Sequence, residues 1–380
     1  MTPPGRDIEA LLRRAKQTLT VVDRVSKLER ELQSDFPLQD WWERSHWEPT
    51  VAHAIRDHCR SGDTVFDVGA NAGGLSQLMS RLVGPKGLVC AFEASPRIVG
   101  KTQHNLVKTG CFNVTLYHKA VWSASREIVN MAAGSHLNDR IEKGLTGMPV
   151  PTVALDDFVR ETDLRPTFIK MDIEGAEYEA LKGMAEMLQD TRPVLVLEQS
   201  PADMRCNDLL SRASYVGVDL ASYRRVRNSR DFAEGTTVAN VLFVPGESAD
   251  HNPYFSPEEP ELVAELPAEQ FSRSERRICL DKPLSLPPGR YIIEANFSAE
   301  GTGNEVFAGV EANGEMIFRY HTYTHFLAQS YRHWVIHLDR SAAITPVIRF
   351  LRGSDSTLQW HGTTVHRLTA FDGVRSPLVL

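Results

Sequence analysis

The chain has 380 residues, 42% of them hydrophobic and 24% charged, with a formal net charge of −7. That composition suits a globular protein with room for two domains, and it speaks against a nucleic-acid partner, whose phosphates call for a basic surface. The five cysteines (Cys59, Cys90, Cys111, Cys206, Cys279) show neither metal spacing nor a pairing framework, and neither a secretory leader nor a membrane-length apolar run is evident, so a cytoplasmic enzyme with reduced thiols is expected.

Residues 1–59 read as a helical segment. Ile8, Leu11, Leu12, Ala15, Leu19, Val22, Val25, Leu28 and Leu32 recur at helical spacing from Asp7 to about Gln33. The stripe suits a packing helix or a short homo-oligomeric zipper, and less well a membrane-surface helix, since it lacks aromatic anchors. After Pro37 come Trp41, Trp42 and Trp47, three tryptophans that either pack a helix onto the core or line a substrate entrance. A helix over Pro49–Cys59 follows.

Residues 60–246 alternate strands with helices. Strands are predicted at Thr64–Val68, Leu88–Glu93, Val114–His118, Thr167–Asp172, Val194–Gln199 and Val238–Val244, with helices at 73–83, 96–109 and 176–188. This is the pattern of an α/β doubly wound, Rossmann-like sheet with its ligand at the carboxyl ends of the strands. The first strand runs into Asp67-Val68-Gly69-Ala70-Asn71-Ala72-Gly73, and Glu93 ends the second. A carboxylate about 20 residues beyond a glycine turn can accept both ribose hydroxyls of a nucleoside. Asn71 stands where a pyrophosphate needs glycine, and Asp67 suits a cationic ligand. S-adenosylmethionine is therefore preferred to NAD. Asp67, Glu93, Asp172 and Glu198 all fall at strand ends, and unpaired acids gathered at one edge are better explained by a pocket than by stability.

The segments from Asp67 to Gly73, Phe92-Glu-Ala-Ser-Pro96, Thr152-Val-Ala-Leu-Asp-Asp-Phe158 and Ile169-Lys-Met-Asp-Ile-Glu-Gly-Ala-Glu177 together resemble those of FkbM-type methyltransferases over about residues 60–245. The resemblance implies an S-adenosylmethionine-dependent O-methyltransferase of the kind that acts on hydroxyls of sugars, glycans or polyketides. Gln199-Ser200 departs from it, since a His is expected shortly after Glu198. Asp67, Gly69, Ala70, Asn71 and Gly73 are expected around the methionine part, Glu93 and Ala94 at the ribose, and Ala120 and Val121 by the adenine. Asp172 is expected next to the methyl, as base or positioning group. His136, Glu198 and Lys170 are further catalytic candidates; Asp172 with Glu198 is a candidate divalent-cation site. Glu174 and Glu177 follow Asp172 on the turn and incoming helix. The Asp156-Asp157 pair reads as a cap for the helix 157–162.

Residues 247–270, rich in Pro and Glu, read as an exposed linker. Residues 271–380 carry short alternating runs separated by Pro287-Pro288-Gly289, Asn313-Gly314 and Gly353-Ser354-Asp355, which predict a β-sandwich, jelly-roll-like, with a hairpin at Asn313-Gly314. Its His and aromatic residues (Tyr320, His321, Tyr323, His325, Phe326, Tyr331, His333, Trp334, His337, Trp360, His361) suit a glycan surface or a subunit or interdomain contact; bound metal is disfavoured. The reading is a methyltransferase for a sugar or glycan hydroxyl, with a polyketide, lipid or other metabolite as the alternative acceptor. A catalytically silent assembly module is the rival from outside the enzymes.

Overall fold

The computed structural model describes residues 48–132, 140–142, 147–232, 236–256, 258–274, 277–298, 305–323, 333–350 and 358–372. The expected helix of residues 7–33, the three tryptophans, His136, His325, Phe326 and Tyr331 lie outside them.

Helix α1 (Pro49–His58) leads into β1 (Thr64–Val68), α2 (Gly74–Val83), β2 (Leu88–Phe92), α3 (Val99–Lys108) and β3 (Val114–Tyr117). Four strands follow where the sequence reading left a loop: β4 (Ala120–Val121), β5 (Ile128–Ala132), β6 (Arg140–Glu142) and β7 (Met148–Val153) form a small separate sheet in the order β4-β7-β5-β6. Pro149 and Pro151 within β7 hid it, since proline argues against a strand interior. The chain continues through α4 (Leu155–Thr162), β8 (Phe168–Met171), α5 (Glu177–Lys182), α6 (Ala185–Asp190), β9 (Val194–Gln199), α7 (Arg205–Arg212), β10 (Tyr215–Asp219), β11 (Arg225–Val226) and β12 (Ala239–Pro245).

The main sheet has the order β11-β10-β12-β9-β8-β1-β2-β3. The strands from β3 to β9 pair in parallel, while β12 pairs antiparallel to both β9 and β10. Alternation along the strands divides the core. Phe66, Val68, Ile169, Met171, Leu195 and Leu197 pack under α4 to α7, whereas Val65, Phe168, Val196, Leu242 and Val244 pack under α1 and α2. The helix expected over 176–188 is broken at Gly183, where a Cβ would stand 2.1 Å from the Trp122 carbonyl oxygen. Asp156 caps the second piece rather than its own helix, accepting from Glu186 N and Met187 N, both at 2.9 Å.

The stretch expected as an exposed linker is folded. Two 3₁₀ turns bury Tyr254 and Phe255, and β13 (Glu261–Pro267) joins the C-terminal sheets. Those sheets contain β14 (Phe271–Arg273), β15 (Arg277–Leu280), β16 (Leu284–Leu286), β17 (Gly289–Ser298), β18 (Glu305–Ala312), β19 (Glu315–Tyr323), β20 (His333–Leu338), β21 (Ala342–Phe350) and β22 (Gln359–Arg367). One is β13-β22-β17-β20 and the other β14-β15-β21-β18-β19, with β16 on β21 and every pairing antiparallel. They enclose one apolar core, in which Trp334 is buried and so offers no sugar platform. Asn313 and Gly314, at φ 52° and 87°, turn the predicted hairpin.

The sandwich is not an appendage. Ile292 and Val335 on its outer face join Val218, Leu242 and Val244 in one buried cluster, so the sandwich covers part of the main sheet's α1 face.

Candidate active site

The loop after β1 is a cradle built from backbone. Gly69 (φ +81°) lies so close to β8 that a Cβ would meet the Asp172 carbonyl oxygen at 1.8 Å. Asn71 is left-handed at φ 49°. Gly73 opens α2 at φ +86°, where a Cβ would touch Leu106 at 3.4 Å. Helix α3 holds the loop from above: Thr102 Oγ1 donates to the Asn71 carbonyl, and Asn105 Nδ2 donates to that of Ala72 at 2.7 Å. Glu93 ties the loop to β2, since its carboxylate accepts Asn71 N at 2.8 Å and Ser95 N at 2.7 Å. Burial raises the pKa of Glu93, and those two backbone bonds oppose it.

An open cleft lies over this loop. Gly69, Asn71, Glu93, Ala94, Ala120, Val121 and Asp172 line it as expected from sequence. So do Lys119, Ile173 and Glu174, and so do Met131 and Ile141, which the small β4–β7 sheet contributes as a wall. Those two belong to the strands joined by the loop of His136. The donors and shape fit an adenosine sulfonium: apolar walls, a carboxylate with spare lone pairs, and a glycine no side chain could replace.

Three expected cofactor contacts sit elsewhere. Ala70 N–H is spent on the Phe92 carbonyl and Gly73 N–H on that of Ala70, and neither residue lines the cleft. Asp67 is 0% exposed, beneath the floor, where Ser76 Oγ donates to it and Lys170 Nζ lies 3.8 Å away. Its side chain points below the sheet's end because β1 alternates, and it acts on the loop through its neighbours. Burial raises its pKa; Lys170 and Ser76 counter this.

Lys170 is the buried cation of the site. Its ammonium donates to the Gly69 carbonyl at 2.9 Å and lies 3.6 Å from Asp172 Oδ2. Burial works against its charge, but Asp172, Asp67, Glu48 and Glu198 hold its pKa above that of an ordinary lysine. Those contacts commit the Lys170 ammonium to the loop and to the acids on either side of it.

Beside Asp172 the structure adds a residue the sequence reading missed. Glu48 precedes α1 without capping it, and its carboxylate joins those of Asp172 and Glu198, with ligand atoms within 4.8 Å of one another. Asn240, paired with Glu198 across β12 and β9, hydrogen-bonds to Glu48. Burial, then the charge of Asp172, pushes Glu48 up to about 8 and Glu198 to about 10. An acid followed by proline at a helix start was the available signal, but nothing local says that α1 crosses the sheet toward β8 and β9. Glu177 is buried and turned back, accepting from Ile173 N at 2.8 Å to fix the turn after Asp172; burial raises it to about 7. Among the described residues, Glu48, Asp172 and Glu198 are the group that could hold a metal ion.

Residues 67–216 match the family profile of the methyltransferase FkbM domain. A hexuronic acid methyltransferase, AglP of Haloferax volcanii, is 27% identical over 169 residues, 44% of this chain and 69% of the relative. Among solved structures, methyltransferase FkbM from Methylobacillus flagellatus is similar with 19% identity and a TM-score of 0.33, over 50% of this chain and half the length of that one. A precorrin-6y C5,15-methyltransferase from Geobacter metallireducens is similar with 18% identity and a TM-score of 0.31, over 51% of this chain and 86% of that one. No helix of the described residues is long and apolar enough to cross a membrane.

Proposed function

We propose that the chain, whose residues 67–216 match the profile of the methyltransferase FkbM domain, transfers a methyl group from S-adenosylmethionine to a hydroxyl of a sugar or glycan. The observation that carries this reading is Asp172, which belongs both to the cleft wall and to the carboxyl cluster with Glu48 and Glu198. The cofactor supplies a methyl already activated as a sulfonium, so the protein must align the acceptor and remove one proton. Glu93 would hold the ribose hydroxyls, and the Gly69–Asn71 loop the methionine end. Asp172 would accept the hydrogen bond of the acceptor hydroxyl and take its proton. Glu48 and Glu198, whose burial favours the protonated form, would offer hydrogen bonds to the remaining acceptor oxygens. His136, outside the described residues, keeps its place as a second candidate base.

The hexuronic acid relative supports a sugar acceptor. Three carboxyl groups with oxygens within 4.8 Å of one another favour a neutral hydroxyl over a carboxylate as the group methylated. A second reading, favoured by the 4.8 Å grouping of ligand atoms, has those carboxylates hold a divalent cation, a hard Lewis acid for the hydroxyl. Turnover lost on EDTA dialysis and restored by Mg²⁺ would select it. The main test is label transfer from methyl-labelled S-adenosylmethionine to p-nitrophenyl glucoside and glucuronide. Asp172→Asn should lower kcat by about 100-fold or more, the range of a lost general base, while S-adenosylhomocysteine binds nearly as before. Equal turnover in this variant would refute the role of Asp172. Absence of S-adenosylhomocysteine binding by the wild type would refute the function.

A further inference from the structure

Helix α1 is anchored at both ends to different parts of the molecule. Its first turn carries Glu48, whose carbonyl accepts Ala52 N at 2.9 Å, and its ten residues span about 15 Å. Val51, Ala54 and Ile55 bury one side against the main sheet. At the far end Asp57 meets the sandwich. Arg290 of β17 donates to it through both terminal nitrogens, at 2.6 and 3.1 Å, and Tyr254 Oη donates at 2.6 Å. The pair is closed from water, with side chains 3% and 5% exposed. Phe371 lies under the guanidinium at 4.0 Å, and Tyr223 stacks on Tyr254 at 5.3 Å. Next to it, His58 Nδ1 donates to the Ala54 carbonyl, so Nε2 accepts from Asn252 Nδ2 at 2.9 Å.

Apolar burial of Ile292 and Val335 alone would glue the sandwich to the sheet, but apolar contacts tolerate sliding. A buried bidentate ion pair does not, because any slip leaves charges without partners. Such a pair adds little stability over an apolar replacement of similar volume; fixing a register is its best-attested use. The end of α1 so pinned is the one opposite Glu48, and a rigid helix conveys a fixed position from one end to the other.

We propose that the Arg290–Asp57 pair is a registration lock through which the C-terminal sandwich sets α1, and with it Glu48, against Asp172 and Glu198, making Asp57 and Arg290 positioning residues for methyl transfer. This rests on the reading of that cluster as the acceptor side. The sandwich is then part of the catalytic unit, through the helix and not through glycan binding.

The test uses the full chain with Asp57→Asn and Arg290→Met together, which removes both charges and leaves no buried ion unpaired. Hydrogen exchange of the first turn of α1, Val51 to Ala54, should quicken at least tenfold, with strands β1 and β8 still protected. S-adenosylhomocysteine affinity should stay within about twofold and kcat should fall at least tenfold. Tyr254→Phe, which keeps the ion pair and removes one donor, should give the same changes at smaller size and guards against a double variant that fails to fold. Unchanged exchange at α1 in a folded variant would overturn the lock. So would exchange that quickens across the whole sheet with loss of cofactor binding, the mark of a purely structural pair. A wild type that transfers no methyl would refute the proposed function alone, because the exchange measurement needs no acceptor.

Discussion

Gly69→Ala probes the closest approach in the active site. The new Cβ would lie 1.8 Å from the Asp172 carbonyl oxygen, 2.9 Å from its carbon and 3.1 Å from Ile173 Cγ2. Such contacts do not fall below 3.0 Å, so the turns after β1 and β8 must open from 1.8 to at least 3.0 Å. Alanine at φ +81° adds about 1–2 kcal/mol of backbone strain, and forced opening of a packed site adds about 1–3 kcal/mol. The opening also stretches the 2.9 Å bond from Lys170 to the Gly69 carbonyl. A loss of about 2–5 kcal/mol is expected in urea denaturation followed by far-ultraviolet dichroism, with S-adenosylhomocysteine affinity down at least tenfold by calorimetry. A variant that loses under about 1 kcal/mol and binds at wild-type strength would show that the turns separate freely, and the cradle argument would fail.

Other perturbations isolate single groups. Lys170→Met strips Asp67 and Asp172 of their counter-charge and should destabilise the fold by about 3–5 kcal/mol, whereas Asp67→Asn added to it should recover part of that loss; denaturation midpoints decide. Glu93→Gln keeps the shape but loses the charge that draws Asn71 N, Ser95 N and the ribose hydroxyls, so calorimetry should find S-adenosylhomocysteine bound about 10- to 100-fold more weakly. Burial, more than any neighbouring charge, pushes Glu48 up to about 8 and Glu198 to about 10 in the folded chain, against an ordinary 4.5. The folded state thus binds more protons than the unfolded one above pH 4.5. The stability this confers is complete below 4.5 and is lost as pH rises toward 8 and 10. In EDTA-treated protein, Glu198→Gln should flatten the decline in unfolding free energy between about pH 5 and pH 9, and an unchanged slope would refute the raised pKa.

The sequence alone specified the α/β sheet, because Val65, Phe66 and Val68 form a buried run that stops at a glycine turn, and apolar runs that end in an acid recur at β2, β8 and β9. It also determined Glu93, Asn71, Ala120 and Asp172 as cleft residues, since strand ends of a parallel sheet meet at one edge whatever the details. The sandwich was legible through its alternation and through Asn313-Gly314. Tertiary structure decided what depends on contacts distant in the chain. The phase of β1 sends Asp67 under the floor of the cleft to Lys170. The strands β5 to β7 exist because they pair with one another, against the local vote of two prolines. The Pro-rich stretch after Gly246 folds because Tyr254 and Phe255 find an apolar surface shared by two domains. Glu48 and Arg290 take their meaning from partners 124 and 150 residues away for the one and 233 away for the other, and only the packing of α1 between sheet and sandwich brings those partners within reach.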